Sequence, residues 1–297
     1  MRILVVGGTR FIGPRVVRRL VGAGHTVAVF HRGQHEIALP AAVQRIKDPR
    51  AGMPIVAFSE ETRRFNPEVV LHMVAIGEAD AEAARQEFAG RVRRMVMVSS
   101  GDVYRAYGLF KRLEEGAVDN RPLTESSPLR TSRFPYRHAD TPKDALEYEY
   151  DKVLAERALA ADSRLPVAIL RLPKVYGIED NGDLATVYGF RDHPEWRWTH
   201  GYVENVADAI ALAVVTERAA GRTYNVGEEP TPSVAERLKY LPARAPAAQL
   251  LSEANFDQNI VYDTSRIRGE LSYGEGIPER DAMVRVAAAY LEADTAS

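Results

Sequence analysis

The chain has 297 residues, 45% of them hydrophobic and 27% charged, which suits an ordinary globular protein with one sizeable core and a smaller lobe. A formal net charge of −2 gives no general attraction to nucleic acid or to anionic membrane, so neither partner is expected. With no cysteine, disulfides, thiolate metal sites and cysteine nucleophiles are excluded; with no signal-peptide core and no run of ~18 apolar residues, a cytoplasmic location is the expectation.

In chain order, short apolar runs predict strands buried on both faces at 3–6 (ILVV), 27–30 (VAVF), 69–75 (VVLHMVA), 95–98 (MVMV) and 167–170 (VAIL). Between them, spacing or composition predicts helices at 12–22, 78–89 and 142–161, the last with Thr141 as N-cap and Pro142 at its first position. This alternation implies right-handed crossovers and an α/β fold, a doubly wound parallel sheet of the Rossmann type. After about residue 177 the pattern changes: a Pro- and Trp-containing segment leads to a helix at 202–214, a strand at 222–227 and a terminal helix at 279–293. Residues 1–177, completed by 201–228, are therefore read as a dinucleotide-binding domain, and 178–297 as mostly a small C-terminal substrate-binding lobe.

The first chemical element is GGTRFIG at 7–13. Gly7 and Gly8 allow a tight turn at the end of the first strand, and Gly13 lets the next helix pack closely on the sheet. The residues between them, Arg10, Phe11 and Ile12, then lie where backbone N–H groups and a helix N-terminus face a pyrophosphate. The second strand ends VFHRG, without the Asp or Glu that NAD sites place there to hold the ribose hydroxyls. Arg32, with Arg10, forms a candidate cationic pocket for the 2′-phosphate of NADP, so NADP is favoured over NAD; the other reading leaves both arginines as exposed loop residues. Asp48, after the third strand, is within reach of the adenine in either case. No metal ligands are predicted, since His31 and His35 flank Arg32-Gly33 in a loop.

MVMVSSGDVY puts Ser99 and Ser100 at the carboxyl end of the fourth central strand, where doubly wound sheets carry their reactive groups. YEYDK supplies Tyr148 and Lys152, which lie four residues apart on the predicted helix and so share one face. A phenol titrates near 10, too high for acid/base work at neutral pH, and a neighbouring ammonium lowers it. Ser100 then holds the substrate oxygen, Tyr148 exchanges the proton and Lys152 supplies the charge. A rival pair, Tyr107 and Lys111, sits in a Gly-containing stretch of poor helical character and need not share a face.

Taken in order, GGTRFIG, VVLHMVA, SSGDVY, YEYDK, ILRLPKVYG, GYVENVADAI and YNVG resemble the extended short-chain dehydrogenase/reductase family, the NAD(P)-dependent epimerases, dehydratases and reductases of nucleotide sugars. The resemblance implies that Ser100, Tyr148 and Lys152 are catalytic, with Lys152 also on the nicotinamide ribose. It implies that Gly7 and Gly13 are the outer glycines of the pyrophosphate loop, with Arg10 in place of the middle one, and that Pro173 lies near the nicotinamide. A sugar-like small-molecule substrate follows, and by analogy a homodimer across a two-fold axis is a candidate assembly.

There are departures. Sugar dehydratases of the family carry Thr-Asp-Glu where this chain has Ser100-Gly101-Asp102, which weakens a dehydratase reading. Asp102 is either a carboxylate near the substrate or a turn cap, and Lys174 replaces the asparagine usual before VYG. The segments after VYG and from 229 to 262 are short for the family, which fits a substrate smaller than a nucleotide sugar, with a nucleotide sugar itself as the other candidate. Trp196, Trp198 and His200 either line the substrate pocket or pack beneath it. A rival function also stands: the GGTRFIG variant resembles that of chloroplast stem-loop-binding relatives, so a non-catalytic cofactor-binding or RNA-associated protein of the same fold is the alternative.

Overall fold

A computed structural model describes residues 1–34, 38–48, 52–243 and 253–295. Its first half runs β1 (Arg2–Val6), α1 (Ile12–Gly22), β2 (Thr26–His31), β3 (Gln44–Lys47), α2 (Glu60–Phe65), β4 (Val69–His72), α3 (Glu78–Phe88), β5 (Arg94–Ser100) and α4 (Arg105–Phe110). There follow α5 (Lys152–Ala160), β6 (Val167–Leu172), β7 (Lys174–Tyr176), α6 (Ala185–Tyr188), β8 (His200–Tyr202), α7 (Val203–Val215) and β9 (Thr223–Asn225). The chain closes with α8 (Val234–Leu238), α9 (Ser265–Leu271) and α10 (Glu279–Thr295).

Seven strands form one sheet in the order β3-β2-β1-β4-β5-β6-β9. The ladders of β1 with β2 and β4, of β2 with β3 and of β4 with β5 are parallel, and the architecture is Rossmann-like. The strand order reverses between β1 and β4, so the turn after β1 opens at the crevice where such sheets bind ligands. Continuous apolar runs produce buried strands here: all of β4 and β6 is enclosed, as is Ile3–Val6 of β1. In α1 the buried positions Gly13, Val16, Val17 and Leu20 recur at helical spacing, and each large apolar side chain so enclosed contributes roughly 1.5–3 kcal/mol.

The chain divides into two compact units. The first comprises Met1–Val103, Ser132–Arg171 and Ala207–Tyr224; the second comprises Tyr104–Thr131, Leu172–Val206 and Asn225–Ser297. Residues 104–131, 172–177, 201–206 and 225–228, read from sequence with the dinucleotide-binding domain, thus group with the second unit. The stretch around Tyr107 is helical as well, in α4, with Tyr107 buried and Lys111 just past the helix end.

Within the second unit, Trp196 and His200 are buried rather than lining a surface. Trp196 stacks on Phe110 and donates to the Gln258 carbonyl at 2.8 Å, while His200 bonds Thr186 Oγ1 and the Trp198 carbonyl. A polar cluster lies there too. The Arg237 guanidinium, 1% exposed, spans both oxygens of Glu279 at 2.9 Å each and donates to the Trp198 carbonyl, and Tyr240 donates to Glu279 at 3.2 Å. Beside it, buried Glu228 accepts from the Tyr202 amide at 2.8 Å and from Asn205 Nδ2 at 3.0 Å. Burial, then the nearby Glu279 charge, push the Glu228 carboxyl up to about 8.

Among the described residues no helix is long and apolar enough to cross a membrane, and no group of His, Asp and Glu is arranged to hold a metal ion; His35 lies outside those residues.

Candidate active site

The glycine turn is built by backbone geometry that only glycine permits. Gly7 and Gly8 stand at φ 88° and 77°, and a Cβ at Gly13 would overlap the Gly8 backbone. The first turn of α1 therefore sits directly against the strand-end turn, with Phe11 at φ 46° ahead of it. This close backbone approach is what a pyrophosphate cradle requires, so the residues fit a dinucleotide.

A cavity of about 520 Å³ opens from this turn. It is lined by Gly7 to Ile12 of the turn, by Phe30, His31, Arg32, Met53 and Ile55, by Met73, Val74, Ile76 and Val98 at the ends of β4 and β5, and by Asp144 and Leu146. Arg10 is exposed and Arg32 half-buried, and neither guanidinium has a hydrogen-bond or ion-pair partner among the described residues. Burial first, then the charges of Arg45 and Lys47, lower the His31 pKa. The ends of β2 and β3 therefore carry a local excess of positive charge. Asp48 is buried, with its amide on the His31 carbonyl at 3.0 Å, and does not line the cavity. Pro173 falls in the second unit, where Gly201 packs against its ring.

Beyond Val98 the polar residues gather. Lys152 is the first residue of α5 and is buried, its Nζ donating to the carbonyls of Ala75 (2.7 Å) and Val98 (3.0 Å). Burial lowers its pKa to about 8, against the charges of Asp102, Asp80 and Glu156, which raise it. Asp80 is pushed up to about 6 by burial, opposed by hydrogen bonds from the amides of Ile55, Gly77 and Ile76. His72 is held down at about 3 by burial and by Lys152, hence neutral. Ser99 donates to Glu156 at 2.6 Å, and Glu156 pairs with Arg171 at 2.7 Å, both partners buried. Ser100, at the end of β5, accepts from the Asp102 amide at 3.3 Å.

The expected helix through 142–161 is shorter. It begins at Lys152, because Asp151 caps it: its side chain accepts from the amides of Val153 and Leu154 at 3.1 and 3.3 Å, and its own amide goes to the Ile76 carbonyl. The Glu149 carbonyl presses against Gly77, where a Cβ would overlap it. These contacts outweigh the helix propensity upstream. Tyr148 ends a short 3₁₀ turn over Leu146–Tyr148 and shares no helix face with Lys152. Its ring lies 4.0 Å beneath the Arg137 guanidinium, and its carbonyl accepts from Arg137 Nε at 2.6 Å.

Two residues not singled out from sequence join this cluster. The hydroxyls of Tyr136 and Tyr150 both donate to Asp102 Oδ2, at 3.0 and 2.8 Å, and their rings meet edge to face at 5.0 Å. Asp102 is 3% exposed and so is an acceptor inside the cluster rather than a turn cap. The Tyr150 ring centre is 5.8 Å from Lys152 Nζ. The second unit has a cavity of its own, about 410 Å³, lined by the exposed Asp119–Arg121 pair, Ser126, Ser127 and Gln258, with no nucleophile and base paired in it among the described residues.

A sequence profile of the NAD dependent epimerase/dehydratase family matches residues 3–227. The chain belongs to this family. Among curated relatives, the epimerase/dehydratase-family chain is 27% identical over 238 residues to the 2′-dehydrokanamycin reductase of Streptomyces kanamyceticus, covering 74% of this chain and 60% of that protein. It is 30% identical over 131 residues to the chloroplast stem-loop binding protein of 41 kDa b of Arabidopsis thaliana, covering 40% and 34%. The match thus spans less than two thirds of either relative. Its fold is that of the UDP-glucose 4-epimerase of Thermus thermophilus in complex with NAD (TM-score 0.66, 19% identity, 99% and 100% coverage). It is also that of the dTDP-glucose 4,6-dehydratase of Bacillus anthracis in complex with NAD (0.69, 14%, 99% and 98%).

Proposed function

We propose that the chain is a nicotinamide-dinucleotide oxidoreductase that interconverts a hydroxyl and a carbonyl on a sugar-like small molecule, with NADP favoured over NAD. The observation that supports this is continuity within the first unit. One cavity is lined both by the glycine turn, Gly7 to Ile12, and by Val98, whose carbonyl holds Lys152 Nζ. When bound, the dinucleotide supplies or takes up a hydride. The turn residues Gly7, Phe11, Ile12 and Gly13 hold its pyrophosphate, Arg10 and Arg32 take the 2′-phosphate, and Lys152 binds the nicotinamide ribose. Ser100 positions the substrate oxygen, and a tyrosine of the YEYDK segment exchanges its proton. Reduction of a keto sugar is the direction that the similarity to the S. kanamyceticus reductase favours.

Fluorescence titration with NADPH and NADH tests this. NADPH binds more tightly, and Arg32→Ala weakens it roughly 10- to 100-fold, the worth of a charge-assisted hydrogen bond, while NADH affinity barely moves. Binding of neither dinucleotide more tightly than AMP overturns the reading. The alternative, an RNA-associated protein, draws on the A. thaliana relative; the net charge of −2 counts against it, and salt-dependent retention of RNA is its test.

A further inference from the structure

The tyrosine that exchanges the proton has to bring its hydroxyl to the lysine and serine that serve it. Counting four residues back from Lys152 selects Tyr148, but that count carries geometric meaning only within a continuous helix, and the helix starts at Lys152. Tyr148 is instead the lower layer of a stack: Arg137 lies 3.6 Å over the Phe134 ring and 4.0 Å over the Tyr148 ring. Its hydroxyl makes no hydrogen bond among the described residues. Tyr150, by contrast, has its hydroxyl fixed at 2.8 Å from Asp102 Oδ2, its ring beside the Lys152 ammonium, and Asp102 in turn tied through its amide to Ser100 Oγ.

We propose that Tyr150 is the proton-exchanging tyrosine of this site and that Asp102, steadied by Tyr136, positions it, leaving Tyr148 a packing residue. The inference rests on the reading of the chain as a dinucleotide oxidoreductase and names the acid within it. In reduction, Tyr150 gives its Oη proton to the carbonyl oxygen as that oxygen takes the C=O π electrons and the carbon accepts a hydride from the reduced dinucleotide, which leaves oxidised. The phenolate is then reprotonated from solvent. A carboxylate hydrogen-bonded to the phenol opposes its ionisation, since two adjacent negative charges repel, whereas the Lys152 ammonium favours it. The Asp102 hydrogen bond therefore fixes where the hydroxyl sits, and the Lys152 ammonium is the group that favours release of its proton.

The spectroscopic arm of the test needs no identified substrate. Tyrosinate absorbance near 295 nm is titrated in the full chain saturated with NADP⁺, in Asp102→Asn and in that variant combined with Tyr150→Phe or Tyr148→Phe. In a Tyr136→Phe background, which removes the other phenol on Asp102, Asp102→Asn moves one tyrosine to lower pH by about one unit or more. The shifted step disappears when Tyr150→Phe is added to that background and persists when Tyr148→Phe is added. In keto-sugar reduction with NADPH, Tyr150→Phe lowers kcat about 100-fold or more with NADPH affinity unchanged, and Tyr148→Phe has less than about a threefold effect. A shifted step that follows Tyr148, or no shifted step at all, overturns the assignment. Failure of the unaltered chain to bind NADPH would instead refute the proposed function, so the two failures are distinguishable.

Discussion

In the second unit Arg237 is enclosed yet fully paired, both oxygens of Glu279 meeting its guanidinium. In the first unit Lys152 is enclosed to a similar degree, but its ammonium meets two neutral carbonyls, and the nearest carboxylates act on it only at a distance. The outcomes diverge accordingly. Burial works to lower the pKa of both cations; the Glu279 charge reverses this for Arg237, whereas Lys152 stays lowered, at about 8. A paired buried charge is a structural element whose partner suffers if it is removed, and an unpaired one held by carbonyls is a group poised to change state.

That contrast can be broken most forcefully at Arg237. Arg237→Met leaves Glu279 buried without its partner next to Glu228 and lowers unfolding stability by about 3–5 kcal/mol, read by chemical denaturation. The next effect is one of pH. The Glu228 carboxyl sits at about 8 in the folded chain against 4.5 ordinarily, so the folded state binds the extra proton between those values. The contribution of Glu228 to stability is then greatest below about pH 4.5 and falls towards pH 8, by up to about 1.4 kcal/mol per unit of difference. Glu228→Gln keeps an acceptor for the Tyr202 amide and flattens that slope; an unaltered slope would mean another group carries it.

Smaller still, Tyr240→Phe removes one donor to Glu279 and costs roughly 0.5–1.5 kcal/mol, with Arg237 still holding the carboxylate. Least affected is the fold of Lys152→Met. Relief of a buried ammonium offsets the loss of a donor to Ala75 and Val98, so stability at neutral pH stays within about 1 kcal/mol while the proposed keto-sugar reduction is lost. The variant also loses the rise in stability between about pH 8 and 10.5 that the lysine imposes, because in that range the unfolded chain binds the extra proton. A collapse of stability in Lys152→Met comparable to that of Arg237→Met would erase the distinction between the two clusters.

What was legible in the sequence follows the range of the forces involved. The predicted helix at 12–22 is α1 from Ile12 to Gly22, since a glycine turn, an amphipathic repeat and a strand on either side all act within a few residues. The buried strands are legible for the same reason. The YEYDK segment is decided by remote partners: Ile76 takes the Asp151 amide, Phe134 donates to the Asp151 side chain, and Arg137 covers Tyr148. One local signal was present. Asp151 before Lys152-Val153-Leu154 is an N-cap signature, and it marks a helix start well after the one that Thr141-Pro142 suggests. Tyr136 carries no such mark, because it comes from a stretch without periodicity and is brought to Asp102 by the tertiary fold alone.

The contact between Gly77 and the Glu149 carbonyl reaches beyond packing. Glu149 lies three residues before the first residue of α5, so the placement of Lys152 is underwritten by a missing side chain on a different loop. Variation at position 77 would be inherited as a defect of the reactive centre, and a search for tolerated changes would find positions 77 and 149 to 152 behaving as a single heritable unit.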